Sequence, residues 1–183
     1  MARLTYLNRE DLAPADQELL KRSINLHRLL AHSPGAARAF ATLGTYIRFG
    51  STLDPRLREL AILQVGWLAR SPYEWSHHIK IGYDFGVTDA DIEGLIADSA
   101  GRPTDLDART RLVLRAAREC HAGPGIGEET FAALASHFDT AHVTDLVVTI
   151  AFYCAVVRVL ASLAIDVEPD YMPYLERYPL PAA

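Results

Sequence analysis

Apolar residues recur along this chain at intervals of three and four, and no stretch shows the two-residue alternation of a half-buried strand. The pattern predicts helices over 15–31, 34–49, 55–69, 72–85, 89–98, 105–121, 127–137 and 140–165. Several boundaries carry their own chemistry. Asp54 precedes Pro55 as an N-cap before a first-turn proline, Gly86 stops the helix before it, and Thr88 caps the next with Asp91 three residues on. The Gly-Pro-Gly-Ile-Gly run at 123–127 is a loop between helices, with no strand before it to make a phosphate cradle. The expectation is an all-α, single-domain bundle of about eight helices across 1–183, with its core in 15–165.

Two helices break the amphipathic rule. Residues 57–69 are apolar almost all round, and 146–165 carry one charge, Arg158. The second is long enough to cross a bilayer, but Arg158, Thr149, Ser162 and several alanines favour a buried core helix, and no membrane partner is expected. Two all-round apolar helices need cover on every side, so a homo-oligomer is expected. The tail 166–183 interleaves Pro169, Pro173, Pro179 and Pro181 with Tyr171, Tyr174 and Tyr178, and reads as an extended arm that packs on a neighbour.

Composition adds exclusions. A net charge of −5 gives no electrostatic footprint for nucleic acid or an anionic membrane. The N-terminus has no apolar signal region, which makes the cytoplasm the expected location. Cys120 and Cys154 lie far apart in sequence, without redox or zinc spacing, and read as structural.

The candidate chemistry lies in Ser-Pro-Tyr-Glu-Trp-Ser-His-His, residues 71–78. As a helix this segment lines up Ser71, Glu74, Trp75, His78, Ile79, Gly82 and Phe85 on one face. Burying a carboxylate and an imidazole there costs several kcal/mol unless each satisfies the other. Glu59, inside the apolar run 57–69, needs a buried partner too, and the next helix offers one. The competing structural reading is an ordinary helical pair of Glu74 and His78 at i, i+4. His77 falls off the stripe and is expected at the surface. Glu74-x-x-His77 matches one element of helical di-iron sites, but it occurs once, so no metal is expected.

Arg-Glu-Leu-Ala-Ile-Leu at 58–63, Tyr-Glu-Trp-x-x-His at 73–78 and Gly-Val-Thr-Asp-Ala-Asp-Ile at 86–92 resemble the carboxymuconolactone decarboxylase family, which includes the alkylhydroperoxidases. Upstream, Asn25 and Arg28-Leu29-Leu30-Ala31-His32-Ser33-Pro34 resemble it as well. The resemblance implies an alkylhydroperoxidase-like bundle forming oligomers from dimer to hexamer. Alkylhydroperoxidases of the family carry Cys-x-x-Cys, and Ser71 and Glu74 stand in the two cysteine positions here, while Glu59 and His78 remain. A hydroxyl and a carboxylate cannot cycle between dithiol and disulfide. The implied activity is therefore cofactor-free acid/base chemistry on a small organic acid or lactone. His78, Glu59 and Glu74 are the expected catalytic residues, and Ser71, Tyr73 and Trp75 are expected to contact substrate. A peroxidase-like oxidoreductase and a ligand-binding oligomer without chemistry are the alternatives.

Overall fold

The helix α3 (Pro55–Leu68) organises the molecule, because it is buried on both flanks. The structure, a computed structural model, describes residues 1–181. Before α3 come α1 (Asn25–Leu30) and α2 (Pro34–Thr45), and after it α4 (Pro72–Asp84), α5 (Asp89–Ser99), α6 (Ala108–Ala122), α7 (Glu128–His137), α8 (Thr140–Leu163) and α9 (Met172–Arg177). No strand occurs among the described residues.

Asp54 starts α3 by accepting from the Leu57 amide at 3.1 Å, and Pro55 supplies the first turn. Leu57, Ala61, Ile62 and Val65 then point into a cluster shared with α6, α7 and α8, while Leu60 and Leu63 enter a second cluster with Trp75, Ile79, Ile92 and Leu95. The helix is apolar all round because two cores meet on it. Its burial is completed within one chain, which corrects the expectation that it needs a neighbouring subunit. A short turn through Arg70, in the left-handed region at φ 48°, sends α4 back along α3. Ser71 caps α4 through the Glu74 amide, and Thr88 with Asp91 forms the capping box of α5.

The helix α8 is the long apolar segment, with a mean hydropathy of 2.2 over its most apolar stretch, and α3, α6 and α7 pack on it. Val143, Leu146, Ile150, Val157 and Leu160 are buried there, whereas Ala151, Ala155 and Ala161 stay exposed. Of the two helices expected to seek a partner, α8 keeps fully exposed apolar residues, whereas α3 leaves Trp67 and Leu68 at its end partly uncovered.

Two other expectations change. The predicted helix 15–31 is broken: Pro14–Leu20 forms a 3-10 turn, and α1 starts only at Asn25. The break has a tertiary cause, since the Asn25 amide donates to Glu168 at 2.6 Å and its side chain to the Asp166 carbonyl at 2.9 Å, so the C-terminal tail captures the helix start. That tail is not an extended arm reaching outward. It turns through Pro169–Tyr171 into α9, where Pro173 occupies the first turn and loses no helical bond, and it packs on α4 of its own chain. The indole of Trp75 donates to the Tyr178 carbonyl at 2.8 Å and fastens it. The last two residues of the expected arm, 182 and 183, lie outside the described residues.

The close approach of α3 and α4 rests on Gly66, where an added Cβ would lie 3.3 Å from the Trp75 amide nitrogen and 3.4 Å from Cγ of Glu74. Alanine would gain about 1 kcal/mol of helix propensity, but it must push apart two backbones that are packed on their far sides as well. Gly66→Ala is expected to lose about 1–2 kcal/mol net, read as a melting temperature several degrees lower. A melting temperature equal to or above wild type would show that the two helices separate freely.

Candidate functional site

Three buried side chains meet between α3 and α4. Nδ1 of His78 lies 2.7 Å from Oε2 of Glu59, a spacing at which N–H donates to an ionised carboxylate. Oε1 of the same carboxylate accepts from Arg58, with Nε at 3.1 Å and Nη2 at 2.9 Å. The Arg58 side chain is 2 % exposed, and its remaining arm donates to the Arg48 carbonyl at 3.1 Å. The guanidinium also lies 4.5 Å from the centre of the Phe85 ring. On the far side of the imidazole, Nε2 lies 3.1 Å from Oε1 of Glu74. The contact is off the hydrogen-bonding direction, so Oε1 has no aligned donor. The edge of the imidazole meets Tyr153 of α8 at 5.0 Å.

The two carboxyls are driven in opposite directions. Burial opposes the charge of Glu59, but His78 and then Arg58 outweigh it and hold that carboxyl below the ordinary range. Burial raises Glu74, and the Glu59 charge adds to the rise, while His78 and Arg48 oppose it. Separation of two nearby carboxyls into an ionised and a proton-holding member is the arrangement that acid/base chemistry uses.

Glu74 and His78 open onto a cavity of about 280 Å³. Leu26, Phe40, Ile81, Phe152 and Val156 give it an apolar body, Tyr73, His77 and Tyr153 line its polar side, and Arg48 and Phe49 form its lip. That lip is a π-turn, Tyr46–Gly50, continuing α2. Asp145 of α8 ties it down by accepting from Tyr46 at 2.8 Å and Ser51 at 2.6 Å.

The structure thus brings Glu59, Glu74 and His78 together and puts Tyr73 on the cavity wall. Ser71 and Trp75, expected to touch substrate, lie elsewhere. Ser71 caps α4, and Trp75 is fully buried against Trp67 and Tyr178. The stripe that seemed to make them neighbours of His78 loses its meaning, because α4 is buried on nearly every side. His77, expected at the surface, is 4 % exposed. Its ring is stacked between Tyr73 at 3.9 Å and Tyr171 at 3.5 Å, its Nδ1 lies 2.8 Å from the Tyr73 carbonyl, and its Nε2 lies 3.1 Å from Glu168. It is the anchor of the C-terminal segment. Sequence reasoning also passed over Arg58, Arg48 and Tyr153. For Arg58 the signal was available, since a second charged residue next to Glu59 interrupts the same apolar run.

These features define an all-α protein of the alkylhydroperoxidase-like fold with a buried carboxylate–imidazole–carboxylate site. Residues 34–119, which include Glu59, Glu74 and His78, match the model of the Carboxymuconolactone decarboxylase family. Solved structures share the whole fold. The alkylhydroperoxidase AhpD core structure of an uncharacterized peroxidase-related protein from Ralstonia eutropha JMP134 superposes with a TM-score of 0.80 at 20 % identity, covering 95 % of each chain. An uncharacterized peroxidase-related protein from Silicibacter sp. TM1040 gives 0.73 at 23 % identity, over 92 % of this chain and 94 % of that one. The debrominase Bmp8, as a cysteine-to-alanine variant in complex with 2,3,4-tribromopyrrole, gives 0.73 at 17 % identity, over 97 % and 99 %. At these identities the likeness is one of fold. No curated protein matches the chain.

The raised Glu74 has a consequence for stability. A carboxyl held above its unfolded value of about 4.3 leaves the native state binding more protons, so stability falls as pH rises from that value through the folded one. Glu74→Gln removes this penalty and leaves Glu59 in place. The variant is expected to melt with wild type near about pH 4 and increasingly above it as pH rises through the raised folded value. A pH-independent difference between the two would mean that Glu74 titrates normally.

Proposed function

We propose that the protein catalyses cofactor-free acid/base chemistry, of decarboxylase or lyase type, on a small organic acid or lactone. The observation that supports this best is the continuous chain Arg58–Glu59–His78–Glu74, which begins in the closed core and ends at the cavity. Glu59, kept ionised, holds the Nδ1 proton of His78 and so leaves Nε2 facing Glu74 and the cavity. Glu74, which burial keeps protonated above the usual range, is the proton donor on that side. In the forward step the Glu74 proton passes to the substrate carbon as the bond from that carbon to its carboxylate breaks and carbon dioxide leaves. His78, whose Nδ1 proton Glu59 holds, faces the carboxylate left on Glu74. Arg48 at the lip suits an acid: among the described residues it has no ion-pair partner, unlike Arg56, Arg58, Arg115, Arg118 and Arg177. The uncovered side of α8 keeps self-association in this reading, with a second copy of the chain as the macromolecular partner.

His78→Asn and Glu59→Gln are each expected to lower kcat by roughly a hundredfold or more, the usual weight of a positioned acid or base. Asp84→Asn, exposed at the end of α4, serves as the control. His77→Asn does not, since it would loosen the C-terminal segment. Melting temperature and turnover are measured on the same proteins. A His78→Asn protein that melts early and turns over normally would reduce the cluster to a structural pair.

A peroxidase-like reaction is the competing reading, favoured by the peroxidase-related names of structural neighbours. Against it, neither Cys120 nor Cys154 lines the cavity, and burial raises the Cys154 thiol, away from the reactive thiolate. Cys120→Ser combined with Cys154→Ser is expected to leave turnover unchanged and to show no consumption of an organic hydroperoxide with a dithiol reductant in either form. Hydroperoxide turnover that disappears in the double variant would establish the competing reading.

A further inference from the structure

A second hollow, of about 260 Å³, lies against the first, and both are lined by Arg22, His27, Phe40 and Ala41. Its floor is apolar: Leu19, Leu30 and Ala37 join Phe40 and Ala41. Its charged residues, Glu18, Lys21 and Arg22, are exposed, and Glu18 is engaged by Arg38 at 3.2 Å. The residues shared by the two hollows make a neck with an apolar side, Phe40 and Ala41, and a polar side, Arg22 and His27. Phe40 is fixed there by packing on Phe152 at 4.8 Å, Ala41 presents only a methyl, and the His27 ring is oriented by the Arg22 carbonyl at 2.9 Å. Burial, then the Arg22 and Arg48 charges, lower the His27 pKa, opposed by its bond to the Arg22 carbonyl and by Glu168, so that ring is uncharged near neutrality. An aliphatic chain therefore has a path along Phe40 and Ala41 while the exposed Arg22 side chain stays in solvent.

We propose that the outer hollow is the tail-binding half of the substrate site, and that the substrate is a carboxylic acid carrying an unbranched apolar chain that runs from the inner cavity past Phe40 and Ala41 to Leu19. This inference rests on the acid/base reading for its polar end only. The carboxylate sits beside Arg48, which lines the cavity and has no ion-pair partner among the described residues, and burial raises the neighbouring Glu74 toward its neutral form, which lessens the repulsion. The chain then leaves toward the neck. A small compact acid would fill the inner cavity and leave the Leu19 floor wet, whereas a chain covers it.

The test is calorimetric binding of butyrate, hexanoate, octanoate and decanoate, with octanamide as the uncharged control. It needs no turnover, so its failure is separable from failure of the acid/base reading, which the His78 and Glu59 variants decide by rate. Affinity is expected to rise roughly fourfold per methylene while the outer hollow fills, the worth of a buried CH₂, and then to level off. Leu19→Asp should weaken octanoate about tenfold and leave butyrate within about twofold, which also shows that the variant is folded. Arg48→Met should abolish the preference for octanoate over octanamide. Equal affinity along the series, equal loss of butyrate and octanoate in Leu19→Asp, anion preference that survives Arg48→Met, or no binding of any acid would each overturn the proposal.

Discussion

A charge placed inside an apolar helix must be answered from within the protein, and α3 carries two of opposite sign side by side. Arg58 and Glu59 are 2 % and 1 % exposed, and each would cost several kcal/mol alone. Their mutual bond is not sufficient, because a guanidinium and a carboxylate each have further sites to fill. The Arg48 carbonyl and the Phe85 ring complete one, and His78 completes the other. The demand for these partners fixes where the turn after α2 and the helix α4 must lie. The hairpin of α3 and α4, the lip and the cavity follow from that demand.

The distribution of burial then separates the two carboxyls. Glu59 has two cationic or proton-donating neighbours and stays ionised; Glu74 has one imperfectly aligned neighbour and a second carboxylate nearby, and is driven toward its neutral form. The same desolvation acts on both. Only the second set of contacts differs, with His78 the larger part of it for Glu59 and Arg58 the smaller.

Much of this was legible in the sequence. Caps and breaks at Asp54, Gly86 and Thr88 recur in the structure because they are local chemistry. Glu59, Glu74 and His78 could be picked out because polar groups in an apolar run must find each other. What failed depended on distant segments. The start of α1 is set by Asp166 and Glu168, about 140 residues away along the chain, and His77 is buried by Tyr171, which no helical wheel of α4 contains. Ser71 and Trp75 were misplaced because a one-face stripe presumes that the other face is wet, and α9 covers that face.

Residue 48 performs two jobs through different atoms. Its carbonyl serves the scaffold by holding Arg58, and its side chain serves the cavity. A main-chain acceptor is available whatever the side chain is, so mutation at this position alters what the lip presents without disturbing the pair beneath it. A substitution there changes the charge at the lip, and with it the opposing pull of Arg48 on Glu74, while the carbonyl that holds Arg58 stays in place.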